Sequence, residues 1–166
     1  GAGERLARII NFGMTFEGNR WNDEADLYQA AEKAGVPRKQ LEAALNDGRA
    51  EAALRQDNQD MHSLGLNFYA LQVRSGDGKT TVILEHEFDG RKVEEAIDWL
   101  SGGKLRKHAL PTIEAYAVQN APLSSHELQR VFRSDAAKVK AALEPAVKSR
   151  KLVHKTLLGM DCWLPP

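Results

Sequence analysis

Asp57, Asp60 and His62 fall close together in the stretch RQDNQDMH. Carboxylate and imidazole groups are the usual means of moving protons or holding a metal ion, but only when they converge on one point. On a helix over residues 49 to 63, these three read as solvated faces. His86 stands between Glu85 and Glu87. Along a strand its two neighbours point to the opposite face, so that triplet does not converge either. Cys162 is the single cysteine. It has no partner for an internal disulfide, a C-x-x-C pair or a cysteine zinc site. It reads as a small buried hydrophobe in a C-terminal strand, and a reducing, intracellular compartment is the expectation. No catalytic residue, metal site or cofactor is expected.

Binding chemistry is better represented. The 23 Lys and Arg balance the 23 Asp and Glu over the whole chain. Residues 1–103 carry 12 cations and 18 carboxylates, a net −6; residues 104–166 carry 11 and 5, a net +6. The split predicts two units with different partners, 1–103 and 104–166. Eight side chains of the second unit are the candidate contacts to a polyanion: Arg133, Lys138, Lys140, Lys148, Arg150, Lys151, His154 and Lys155. Such cations release condensed counterions from phosphate, so the affinity falls steeply with salt. Asp135 and Glu144 weaken the positive face. The helix that carries the lysines lacks the Arg, Asn and Gln set that reads base edges, so backbone contact is expected rather than sequence readout.

The elements that must position these groups follow from length and period. At 166 residues, 42% hydrophobic and 28% charged, the sequence has the composition of a soluble globular protein. It has no apolar run near the roughly 18 residues of a membrane span and no signal-peptide pattern. Gly1-Ala2-Gly3 reads as a remnant of expression cloning, and the natural protein is expected to begin elsewhere. A helix is predicted over 4–18. A second, capped by Asn22 or Asp23, buries Leu27, Ala30, Ala31 and Ala34 and ends at Gly35. A third has Pro37 in its first turn and places Leu41, Ala44 and Leu45 inward. A fourth spans 49–63, with Ala53, Gln56, Met61 and Leu64 near its inner face. NFYALQV (67–73) and TTVILEHEF (80–88) then form a hairpin around SGDG (75–78). A helix with Val93, Ala96, Ile97 and Leu100 inward ends at Ser101-Gly102-Gly103. Trp21, Phe68, Tyr69 and Trp99 are expected in the core.

The second unit is predicted as a helix opened by Pro111, a turn at Asn120-Ala121-Pro122, and two further helices. Ser124 and Glu127 have the spacing of a capping box. Ser134 is expected to cap the last helix, whose stripe is Val139, Leu143 and Val147, with Pro145 as an internal irregularity. LVHKTL and DCWLP (152–157, 161–165) flank a turn at Leu158-Gly159-Met160.

The capped helix SSHELQRVF, the helix SDAAKVKAALEPAVKSRKL and the closing hairpin LVHKTLLGMDCWLP resemble, in order and spacing, a winged-helix domain over residues 106–165. That resemblance implies a third helix directed at the major groove and a hairpin touching the backbone. Winged helices also serve as protein docking modules.

The stretch DEADLYQAAEKAGVPRKQLEAALNDGRAEAALRQDNQDMHSLGL, with the hairpin, Gly90 and the helix 91–100, resembles the C-terminal half of DsbA-like thioredoxin-fold proteins. These include kappa-class glutathione transferases and 2-hydroxychromene-2-carboxylate isomerases. The resemblance covers about residues 4–100. The family's nucleophile lies in an N-terminal half that this sequence lacks. Its cis-proline would fall just after Gly65, where Leu66-Asn67-Phe68 stand instead. The expected fold is therefore mostly helical α+β: a helical unit with a β-hairpin, a DsbA-like remnant, plus a C-terminal winged helix. The expected function is non-enzymatic binding. The basic winged helix would contact nucleic acid or a protein, and the acidic unit would contact protein, including through an exposed strand edge. The alternative is the C-terminal portion of a DsbA-family thiol oxidoreductase or isomerase whose active site lies outside this chain.

Overall fold

The computed structural model describes residues 2–20, 22–66, 70–85 and 90–166. Trp21, Phe68, Tyr69, His86 and Glu87, singled out above, lie outside the described residues, as do the outer ends of the two strands expected over 67–73 and 80–88. The fold is α+β and mostly helical, with eight α-helices and two small antiparallel sheets among the described residues. No described helix is long and apolar enough to cross a membrane. The chain packs as two units, residues 1–46 with 110–166, and residues 47–109. Residues 4–100 contribute to both.

Helix α1 (Ala2–Phe12) runs on into a π-helical turn over Gly13–Glu17. Helix α2 (Glu24–Ala34) starts at Asp23, whose carboxylate accepts the Ala25 N–H at 2.9 Å. It ends in a Schellman motif: Gly35 sits at φ +78°, Gly35 N–H bonds to Glu32 O, and Val36 N–H bonds to Ala31 O. Val36 then packs with Leu6 and Ile10 around buried Ile9, Ala30 and Ala34. Helix α3 (Arg38–Asn46) follows Pro37, whose carbonyl accepts the Leu41 N–H. Leu41 is its one buried residue; Leu45, expected inside, is exposed. The Arg38 guanidinium lies 4.3 Å from the centroid of the Tyr28 ring.

In the second unit, α4 (Arg49–Ser63) buries no residue. The inner face expected from Ala53, Gln56 and Leu64 is open, and only Met61 is half-buried. Rotational spacing alone cannot bury a face whose other positions are nearly all polar. Side-chain pairs one turn apart hold this helix instead, including Arg55–Glu51 and Gln56–Asp60. Strands β1 (Ala70–Arg74) and β2 (Thr81–Glu85) pair antiparallel, with Leu71 opposite Leu84 and Val73 opposite Val82. Those four residues share one face, as the period of two requires. Helix α5 (Gly90–Ser101) packs against the hairpin and turns Ala96 inward with Val93, Ile97 and Leu100 half-buried. Trp99, expected in the core, is 67% exposed; it lies off the Val93–Ala96–Ile97–Leu100 stripe.

Residues 110–166 contain α6 (Ile113–Asn120), β3 (Leu123–Ser124), α7 (Ser125–Phe132), α8 (Ala136–Lys148), β4 (Val153–Leu157) and β5 (Met160–Leu164). The sheet order is β3-β5-β4. Thr112, one residue after Pro111, caps α6 by accepting the Ala115 N–H. The Ala121–Pro122 peptide bond is cis. Ser124 caps α7 as expected, but the Glu127 carboxylate is engaged by Arg8 of α1. Asp135, not Ser134, caps α8. Leu128, Val139, Leu143, Ala146, Leu152 and Trp163 are buried together with Ala117, Ala121 and Leu123. Tyr116 and Phe132 meet edge to face at this core, with centroids 5.4 Å apart. Burying that much aliphatic and aromatic surface is the dominant favourable term for this part of the chain.

Candidate nucleic-acid interface

The Val139–Leu143–Ala146 stripe faces the core and so turns Lys138, Lys140 and Lys148 to solvent. Pro145 lies within the helix and has no N–H for the Ala141 carbonyl one turn back. Arginines stand just beyond each end of α8. Arg133, at φ +48°, ends α7 by donating its N–H to Gln129 O. Arg150, at φ +57°, turns the chain from α8 into β4, its N–H bonded to Val147 O. Thirteen helical residues separate the two turns by about 20 Å. Lys155 is exposed on β4, the outer strand of the sheet.

The carboxylates divide the eight expected cations into two groups. Lys138 pairs with Asp135 at 3.4 Å and Lys148 with Glu144 at 2.9 Å. Lys151 reaches Glu114 at 3.9 Å. His154 Nε2 and Asp161 Oδ1 are 2.9 Å apart, and the His154 ring lies 5.5 Å from that of Trp163. Arg133, Lys140, Arg150 and Lys155 have no ion pair among the described residues. The pairs along α8 are exposed and one turn long, a class that contributes little to stability and exchanges readily for another anion.

The electrostatic causes are local. The Lys138 backbone N–H, then its side chain, hold Asp135 below the ordinary carboxylate range. Glu144 is lowered by Lys148. Asp161 is lowered first by its hydrogen bond from His154 and further by the charge of Lys140 and the Thr156 hydroxyl. Burial, then the neighbouring Asp161 charge, push the Cys162 thiol upward, away from the reactive thiolate.

Two residues of this surface escape the sequence pattern. Arg130 is exposed in the last turn of α7, one turn before Arg133, and that three-residue spacing was its signal. Leu158 projects from the hairpin turn; an apolar residue inside a turn was the signal there. The remaining candidates do not assemble. Asp60 accepts from Gln56, and His62 Nδ1 lies 2.7 Å from Asn58 O. Among the described residues no group of three His, Cys, Asp or Glu side chains is arranged to hold a metal ion.

No protein-family model matches this chain, and no curated protein matches it.

Proposed function

We propose that residues 110–166 form a binding module that grips the phosphate backbone of nucleic acid with little sequence preference, while the acidic residues 1–103 hold protein partners. Neither part is assigned a catalytic step. The observation that carries the reading is the placement of Arg133, Lys140, Arg150 and Lys155. All four are exposed and none is in an ion pair among the described residues: Arg133 and Arg150 stand beyond the two ends of α8, Lys140 on its exposed face and Lys155 on the hairpin. The exposed face of α8 otherwise consists of small and charged residues, which supports backbone contact over base readout.

Fluorescence anisotropy with labelled duplex and single-stranded DNA and RNA tests this. If all four cations meet phosphate, affinity for duplex falls roughly a hundredfold between about 50 and 200 mM salt. Changing the four to alanine removes most of that dependence. Absence of binding to every probe at low salt ends the reading.

A second reading, the distal part of a thiol oxidoreductase or isomerase, is supported by the order helix, helix, helix, hairpin, helix over α2 to α5. It requires a strand, a C-x-x-C and a helix encoded upstream of Gly1. Any other upstream sequence removes it.

A further inference from the structure

We infer that residues 104–108, the basic stretch KLRKH, form an arm that grips phosphates beyond those held by residues 110–166; this rests on the nucleic-acid reading above. None of its cations is among the eight candidates on α8, its flanking turns and the hairpin. Helix α5 ends with Gly102 and Gly103 at φ +61° and +70°, and the Gly103 N–H bonds to Asp98 O. From there to Thr112 the chain has neither helix nor strand, and every residue from 102 to 112 is exposed. No backbone group from Leu105 to Pro111 is hydrogen-bonded among the described residues. The one ion pair of the stretch among those residues is Lys107 to Glu94 of α5.

The pattern of charge says what the arm meets. No carboxylate stands between Asp98 and Glu114. In extended backbone, side chains two residues apart share a side and repeat at about 7 Å. Lys104, Arg106 and His108 have that spacing, while Lys107, which meets Glu94, falls in the alternate set. Each strand of a duplex carries one charge per about 3.4 Å of axis, so such a row matches every second phosphate. The arm also leads into residues 110–166 at their cationic end. Glu114, in the first turn of α6, faces Lys151 at 3.9 Å, and Arg150 adjoins Lys151 in the turn from α8 into β4. His108 lies four residues before Thr112, a reach of at most about 14 Å. The arm thus continues the surface from the end that Arg150 marks.

The full chain carries the test, as wild type, a Lys104→Ala/Arg106→Ala double variant and a charge-keeping Lys104→Arg/Arg106→Lys swap. Both positions are exposed, so each variant is expected to melt within about two degrees of wild type. On a duplex of about 24 base pairs the alanine pair is expected to bind roughly tenfold more weakly at low salt, with the slope of log affinity against log salt shallower by about two. The swap is expected to bind like wild type. On a duplex of about 12 base pairs, little more than one turn, the alanine pair and wild type are expected to converge, because the arm overhangs the end. Trypsin is expected to cut the free wild-type chain first after Lys104, Arg106 or Lys107, and saturating duplex to protect those bonds. An unchanged slope for the alanine pair, or cleavage of the arm at saturating duplex, overturns the inference and leaves the reading of residues 110–166 standing. A wild-type chain that ignores every duplex at low salt overturns both.

Discussion

Asp135 accepts the Lys138 N–H at 2.8 Å and closes the first turn of α8, while its charge stands where phosphate would approach the helix. The two effects can be separated. Asp135→Ala removes cap and charge together and is expected to lower the melting temperature by about a few degrees. Asp135→Asn keeps a capping oxygen, so it should melt close to wild type at neutral pH and bind duplex more tightly. Equal affinity of the Asp135→Asn variant and wild type would place phosphate away from this helix end. The pH dependence has a definite sign. A carboxyl held below its ordinary 3.8 in the folded chain stabilises it fully above that value, and the contribution is lost as pH falls through the lower, folded value. Asp161 adds to the same acid-side loss. Thermal melts from pH 7 down to 2 should show it, and Asp135→Asn should flatten part of the decline. At this scale the sequence missed by one residue: it pointed to Ser134 as the cap, and the backbone angles give that place to Asp135. The diversion of Glu127 to Arg8 was not legible, because 119 residues separate the pair.

Helices α4 and α8 show how far period reaches. Both have apolar residues at helical spacing, but α8 buries Val139, Leu143 and Ala146 and α4 buries none. Leu143→Ala is expected to destabilise residues 110–166 by about 2–5 kcal/mol, the range for a fully buried leucine whose cavity cannot collapse. Leu54→Gln on α4, a side chain already 61% exposed, should change stability by no more than about 0.5 kcal/mol. Urea titrations of the two variants compare them directly, and a large loss for Leu54→Gln would mean that α4 is covered. The stripe of α8 was legible at Val139 and Leu143, but its third buried residue is Ala146, with the expected Val147 half-buried beside the core. Strand β3 was not, since two residues are too few to show alternation. The start of α6 was misplaced by one step, with Thr112 rather than Pro111 at its threshold.

Charge looks different once the chain is folded. The sequence divides into halves of −6 and +6, but α1 to α3 share a unit with the basic residues 110–166. That unit holds 14 Lys and Arg against 12 Asp and Glu, and residues 47–109 hold 9 against 11. Long-range attraction of a polyanion by net charge is correspondingly weak, so binding should depend on a few contacts and vanish with them. Opening should be uneven as well. Hydrogen exchange is expected to be slowest in α8 and β5, which share the buried core, and fastest in α4, which has no buried side chain. Uniform protection across all helices would contradict the burial pattern.

Strand β5 lies between β3 and β4, and those two are not paired with each other. During synthesis both flanking strands therefore leave the ribosome before the strand they must flank. The nascent chain carries Leu123 and Leu152 without the Trp163 that seals them until Met160–Leu164 has emerged. A ribosome stalled short of that segment would display an apolar intermediate that lacks the β3-β5-β4 sheet, for chaperones to hold.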